Sequence, residues 1–275
     1  MPFRRIDIHA HLNFAAYEAD RDEVVARSLD SGTAFINVGT QRDTSKASVD
    51  VASKYDKGVY AIVGLHPVHT SASFHDKEEL GEGGQEFSSR GEEFNPVVYR
   101  EFLKHPKVVG IGECGLDYYR SEPAAAEKQK RAFLSQIELA NESGKPLMLH
   151  IREAYRDALD ILKAHSRVAG DVHFFAGTTS EARAFLDLGY TLSFTGVITF
   201  ARQYEELVEY IPLDMIQAET DCPFVSPVPN RGKRNEPSFV SHTIEKIAQI
   251  KKLPLAVVED ALLANAKRIF GIDLG

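Results

Sequence analysis

Short apolar runs alternate with longer amphipathic stretches along the whole chain. Eight runs read as strands, at 3–9, 34–38, 60–65, 108–113, 146–151, 171–174, 191–194 and 215–219. The third to fifth are apolar on both parities, as expected of strands covered on both faces. Between them, 127–141 places Phe133, Leu134 and Ile137 at helical spacing, and 154–165 does the same with Leu159, Ile161 and Leu162. The stretch 179–188 opens on Thr-Ser-Glu and is stopped by Gly189. Repeated strand–helix units predict a parallel sheet. Eight of them predict closure into a (β/α)8 barrel, an α/β TIM-barrel fold, although an open doubly wound sheet fits the same pattern until side-chain chemistry is considered.

Two segments break the rhythm. The stretch 66–95 carries seven Asp or Glu residues and little apolar content. It reads as a solvated acidic loop after the third strand, with a lid or wall of a site as the sharper alternative. A further helix is expected over Leu255–Phe270. All 275 residues read as one barrel domain, since barrels commonly reach this length.

Composition narrows the class. At 43% hydrophobic and 26% charged residues the chain is an ordinary globular one rather than disordered or fibrous. Its two cysteines, Cys114 and Cys222, allow no framework of bridges and suggest a reducing setting. With no apolar leader and no apolar run of membrane-spanning length, the expectation is a cytoplasmic protein with no membrane partner. A net charge of -8 removes any whole-molecule attraction for polyanions, so nucleic acid would have to be met by a local basic patch or by bound cations.

The polar residues that close the apolar runs carry the chemistry. His9 and His11 end the first run two residues apart, so that both imidazoles share one side of a strand. Glu113 ends the fourth run, His150 the fifth and His173 the sixth, and Asp221 follows the eighth. A carboxylate or imidazole buried there is costly unless paired or bound to metal, and that end of a barrel is where active sites form. Four imidazoles and two carboxylates suffice for two divalent ions with open positions. His9, His11 and Asp221 would hold one, His150 and His173 the other, with Glu113 bridging. Such a set suits zinc, manganese or iron better than magnesium, which prefers oxygen donors.

With these residues the chain resembles the TatD family of metal-dependent deoxyribonucleases, among the metallo-dependent hydrolase barrels. The matching stretches are Ile-Asp-Ile-His-Ala-His at 6–11, Gly-Leu-His-Pro at 64–67 and Gly-Ile-Gly-Glu-Cys-Gly-Leu-Asp-Tyr-Tyr at 110–119. They continue with Pro-Leu-Met-Leu-His-Ile-Arg at 146–152, Glu-Thr-Asp-Cys-Pro-Phe at 219–224 and Pro-Val-Pro-Asn-Arg-Gly-Lys-Arg-Asn-Glu-Pro at 227–237. The resemblance implies that His9, His11, Glu113, His150, His173 and Asp221 are metal ligands. It also implies magnesium-dependent hydrolysis of DNA, often as a 3′→5′ exonuclease on single strands or ends. Two departures stand out. The family's His-Cys-Phe-Ser-Gly is His-Phe-Phe-Ala-Gly at 173–177, and the acidic stretch after Pro67 is longer than the family pattern.

The expected reaction is attack of metal-activated water on a phosphodiester, with Asp221 accepting its proton and Glu113 as the other catalytic carboxylate. His66, Arg152, Arg231, Lys233 and Arg234 are the candidates for substrate contact, because cations on the active-site face suit phosphate. Asp117 is a candidate to orient a donor histidine. Tyr118, Tyr119 and Phe224 could stack on bases. An amidohydrolase or deaminase acting on a small amide, ester or C–N bond shares the His-x-His start and closing Asp; the Arg-Gly-Lys-Arg loop and Glu113 favour the nuclease. A non-catalytic barrel would not need six intact donors.

Overall fold

The protein is described here from a computed structural model, which covers residues 3–75, 87–119 and 122–274. Ten strands form among these residues: β1 (Arg5–Ala10), β2 (Thr33–Val38), β3 (Val59–Val63), β4 (Ala72–His75), β5 (Phe87–Arg90), β6 (Val108–Asp117), β7 (Leu147–Arg152), β8 (Gly170–His173), β9 (Thr191–Phe194) and β10 (Ile216–Ala218). Eight of them make one parallel sheet in the order β1-β2-β3-β6-β7-β8-β9-β10. These are the eight runs read from the sequence, with ends shifted by a few residues. The sheet curls into a nearly closed barrel, and its seam lies just beyond β10, where Ala10 bridges Cys222. There His11 N–H donates to Cys222 O at 2.9 Å and Asp221 N–H to His9 O at 2.9 Å. The chemistry thus selects the barrel over the open sheet.

Helices lie between the strands: α1 (Arg21–Asp30), α2 (Arg42–Ser53), α3 (Pro96–Phe102), α4 (Pro123–Ser143), α5 (Tyr155–His165), α6 (Thr179–Asp187), α7 (Glu205–Tyr210), α8 (Val240–Lys251) and α9 (Leu255–Phe270). The stripe at Phe133 and Ile137 of α4 and at Leu159 and Leu162 of α5 is buried, as its spacing predicts. α6 starts at Thr179 as expected, but its cap is the preceding residue, Thr178. Thr178 accepts from Glu181 N–H while the Glu181 carboxylate accepts from Thr178 N–H, a reciprocal capping box. One apolar cluster joins strands to covering helices; a second runs from Ile6, Ile36 and Ile62 to Phe270 and Leu274 near the chain end.

The acidic stretch is more ordered than a featureless loop. β4 and β5 pair antiparallel, Ala72 with Arg90 through His75 with Phe87. Residues 76–86, which hold five of its seven acids, lie outside the described residues. No helix among the described residues is long and apolar enough to cross a membrane.

The backbone is most unusual where the donors sit. Among the described residues five non-glycines have positive φ, and four of them, Glu153, Phe174, Asp221 and Val225, lie within the segments that follow β7, β8 and β10. Such conformations persist only where surroundings over-determine them, and they concentrate at functional sites.

Candidate metal centre

His9 and His11 leave β1 on one side, and their Nε2 atoms stand 3.1 Å apart. His11 Nδ1–H donates to Val38 O at 2.9 Å, which leaves its Nε2 lone pair facing the cluster. Phe14 stacks flat on His11 at 4.4 Å and fixes the ring plane. Asp221, from the segment after β10, brings Oδ1 to 3.3 Å from His11 Nε2 and 4.0 Å from His9 Nε2.

Glu113 occupies the middle, carried by β6 between two close-approach glycines. A Cβ on Gly112 would stand 2.4 Å from Met148 O, and one on Gly115 2.1 Å from His150 O. Only glycine lets β6 lie this near β7. Each oxygen of Glu113 serves a different set of nitrogens. Oε2 is 3.3 Å from His9 Nε2 and 3.8 Å from His11 Nε2. Oε1 is 2.9 Å from His150 Nδ1, 3.2 Å from His66 Nε2 and 3.8 Å from His173 Nε2.

The two remaining histidines are oriented from behind. His150 Nε2–H donates to Asp117 Oδ2 at 3.0 Å, so Nδ1 turns inward. His173 Nδ1 lies 2.9 Å from Glu219 Oε1, though off the line of a straight hydrogen bond, and the ring stacks on His9 at 3.7 Å. His173 does not group with His150, from which its ring centroid is 6.2 Å distant. It groups with His9 and Asp221, so the expected assignment of His150 and His173 to one ion is not the arrangement found here.

His66 joins Glu113 and His150 in a third group, but its chemistry differs. Its Nδ1 accepts from Val68 N–H at 3.2 Å. The neutral ring therefore carries its proton on Nε2, the atom facing Glu113. That nitrogen is a donor, not a lone pair, and suits an oxygen of Glu113 or of a substrate rather than a metal.

Electrostatics follow burial. Burial works against the charge of His150, but the Asp117 and Glu113 carboxylates outweigh it and raise its pKa to about 9. His173 is likewise opposed by burial and lifted to about 10 by Glu219 and then Asp221. Burial opposes Glu113's ionisation too, yet His66 and His9 hold it well below the usual carboxylate range. Burial, then His173, depress His9. Behind the donors, Ser193 Oγ joins Asp171 Oδ2 at 2.6 Å to Glu219 Oε2 at 2.9 Å. Burial and then Glu219 push Asp171 up to about 8. Asp7, raised by burial, accepts from the Thr220 N–H at 2.9 Å and from its hydroxyl.

This donor set fits divalent cations. Imidazole nitrogens and two ionised carboxylates converge in a buried space, with the Nε2 atoms of His9 and His11 only 3.1 Å apart. Around it, the candidates for substrate contact divide. Arg152 lies over the Tyr119 ring at 3.6 Å and Arg231 over the Phe200 ring at 3.9 Å; Lys233 is exposed. Arg234 instead grips both oxygens of Asp20 at 2.9 and 2.5 Å, also donates to Ala16 O, and covers Tyr17, which makes it a brace rather than a phosphate contact. Tyr118 donates its hydroxyl to Asp157 at 2.9 Å, packs against the core and is not a stacking platform. Glu219, Ser193 and Asp171 escape the sequence reading. The signal for Glu219 was present, a carboxylate closing an apolar run in Glu-Thr-Asp.

Comparison with known proteins agrees on one family. The model of the family described as TatD related DNase matches residues 6–271. A Bacillus subtilis (strain 168) protein named as the uncharacterized metal-dependent hydrolase YabD is 37% identical over 272 residues, spanning 97% of this chain and 99% of that one. The 3′-5′ ssDNA/RNA exonuclease TatD of Musicola paradisiaca (strain Ech703) is 31% identical over 274 residues, 96% of this chain and 97% of that one. Among solved structures, the Escherichia coli K12 TatD homologue YJJV superposes with a TM-score of 0.85 at 25% identity, covering 99% of this chain and 100% of that one.

Proposed function

The chain belongs to the TatD related DNase family and is a metal-dependent hydrolase, and from that premise we propose that it removes nucleotides from the 3′ end of single-stranded DNA using two divalent ions. The observation that carries the reading is the division of Glu113, whose Oε2 faces His9 and His11 while Oε1 faces His150 at 2.9 Å and His173 at 3.8 Å. One buried carboxylate serving two donor sets is what a paired-ion centre requires. Asp221 completes the first set; His173 stands within reach of both.

Bound ions would lower the pKa of a water and neutralise phosphate charge. The chain's own groups do the rest. Asp221 is the more open carboxylate, with its side chain 14% exposed against 4% for Glu113. It is suited to accept a proton from an attacking water, whereas Glu113 is enclosed by imidazoles. His66 offers an N–H to a phosphoryl oxygen. Arg152 and Arg231 carry planar guanidinium groups that grip phosphate, and Lys233 adds charge. Together they supply locally the cations that the net charge of -8 denies globally.

The test is a digestion. Metal-loaded protein is incubated with 3′-labelled single-stranded DNA and, separately, with a panel of small amides and nucleobases. Metal-dependent release of label, abolished in Glu113→Ala, is expected. Ammonia release from a small molecule with DNA left intact would overturn the nuclease reading in favour of an amidohydrolase.

A further inference from the structure

Phe174 follows His173 directly and has φ of +46°. A bulky aromatic residue in the left-handed region is strained, so something must hold it there. Two things do. Its N–H donates to Glu219 Oε1 at 2.7 Å. The next residue, Phe175, is fully buried against Tyr155 at 5.3 Å and Phe185 at 6.3 Å. With Phe175 anchored inward, the turn leaves Phe174 half-buried, edge-on to the His173 ring at 6.0 Å. Phe174 belongs to neither apolar cluster and does not pack against one. The fold therefore bears strain for an aromatic face that the core does not use.

A second such face lies one strand further round. Phe200, 38% exposed, follows β9 and carries the Arg231 guanidinium over its ring at 3.9 Å. Val228 beside it is 47% exposed, its N–H donating to Thr199 at 2.9 Å. Phe174, Phe200 and Arg231 thus come from the segments after β8, β9 and β10, three neighbouring strands, all on the face where the metal donors sit.

We propose that Phe174 and the Arg231–Phe200 pair stack the unpaired bases of the strand whose end enters the metal centre, so that single-stranded nucleic acid is fed over β8–β10. This rests on the phosphodiesterase reading above. Flat aromatic and guanidinium faces accept any base regardless of sequence, and a duplex keeps its base faces covered. Cationic charge beside the aromatic faces suits a phosphate backbone and would do nothing for a neutral amide.

The experiment measures affinity of the metal-loaded protein for a phosphorothioate-linked oligonucleotide carrying 2-aminopurine near its 3′ end, whose fluorescence is quenched by stacking. Phe174→Ala should weaken binding about tenfold and relieve the quench, because one base–aromatic stack is worth about 1–3 kcal/mol. Phe174→Tyr should restore both. An abasic nucleotide at the same position should weaken wild-type binding by a similar factor, with no further loss in Phe174→Ala. Phe200→Ala, at an exposed position, should weaken binding of longer strands without changing metal content. Additive losses in Phe174→Ala with the abasic strand, or unchanged affinity and quench in both variants while wild type cleaves DNA, would overturn the stacking track and leave the nuclease reading intact. Failure of wild type to bind or cleave any oligonucleotide would sink both.

Discussion

Two oxygens of Glu113 face different nitrogens, and the imidazoles around them are held from behind by Asp117, Glu219 and Val38 O. Asp117→Asn should keep the fold but lower metal affinity about 10- to 100-fold, since the carboxylate fixes the tautomer of His150; unchanged affinity by titration calorimetry would show that His150 needs no orientation. Without metal, His150 at about 9 and His173 at about 10 are protonated at pH 7. Metal must displace those protons, so calorimetry in buffers of different ionisation enthalpy should show release of about two protons at pH 7, vanishing above these values. The same shifts set the stability of the metal-free protein. Both folded pKa values lie above the unfolded value of about 6.5, so their contribution is complete below it and is lost as pH climbs through 9 to 10. The six candidate ligands, which the fold brings together, were legible because each interrupts or closes an apolar run with a polar group. The Asp171–Ser193–Glu219 chain was not, because it depends on how β8, β9 and β10 align across the sheet. The donor character of His66 was not legible either, since it depends on the turn that brings Val68 N–H to its ring.

At the level of elements, regular pieces were readable wherever local periodicity and packing agree. β2 and β9 lie nearly where the alternation put them, and α9 spans the expected Leu255–Phe270. The β4–β5 ribbon escaped notice, since its strands, Ala72–His75 and Phe87–Arg90, are only four residues each, too short for any alternation to stand out in an acidic stretch. Close approach of β6 to β7 is the feature most exposed to test. Gly115 has φ of +139° and no room for a Cβ against His150 O. Gly115→Ala should therefore destabilise by about 1–3 kcal/mol and displace Glu113, seen as a lowered denaturation midpoint together with weaker metal binding. Thr178→Ala removes half of the α6 capping box, which lies away from the donors, and should cost about 1 kcal/mol with metal affinity unchanged.

Across the whole molecule, the proposed metal ligands come from β1, β6, β7, β8 and the segment after β10, more than half of the barrel's circumference. Ligand binding to the folded state alone stabilises by about 2.7 kcal/mol at a hundredfold excess over Kd. For a chain of this size that corresponds to about 5–10 °C in Tm, so chelation should lower the melting temperature by that much and readdition should restore it; an unchanged melting curve would mean that no ion bridges these strands. Global shape was legible because eight strand–helix units and donors at consistent strand ends leave a barrel as the simplest container. The path of a substrate was not, because it depends on which aromatic faces the turns leave outside the core.

The seam between Ala10 and Cys222 sets an order of events in the making of the protein. His9 and Asp221 are separated by 212 residues of chain, yet they meet across that seam. A growing chain holds His9, His11 and then Glu113 well before the second carboxylate beside these imidazoles, Asp221, is added. On the reading proposed above, hydrolytic competence should wait until the segment carrying Asp221 leaves the exit tunnel and closes the ring.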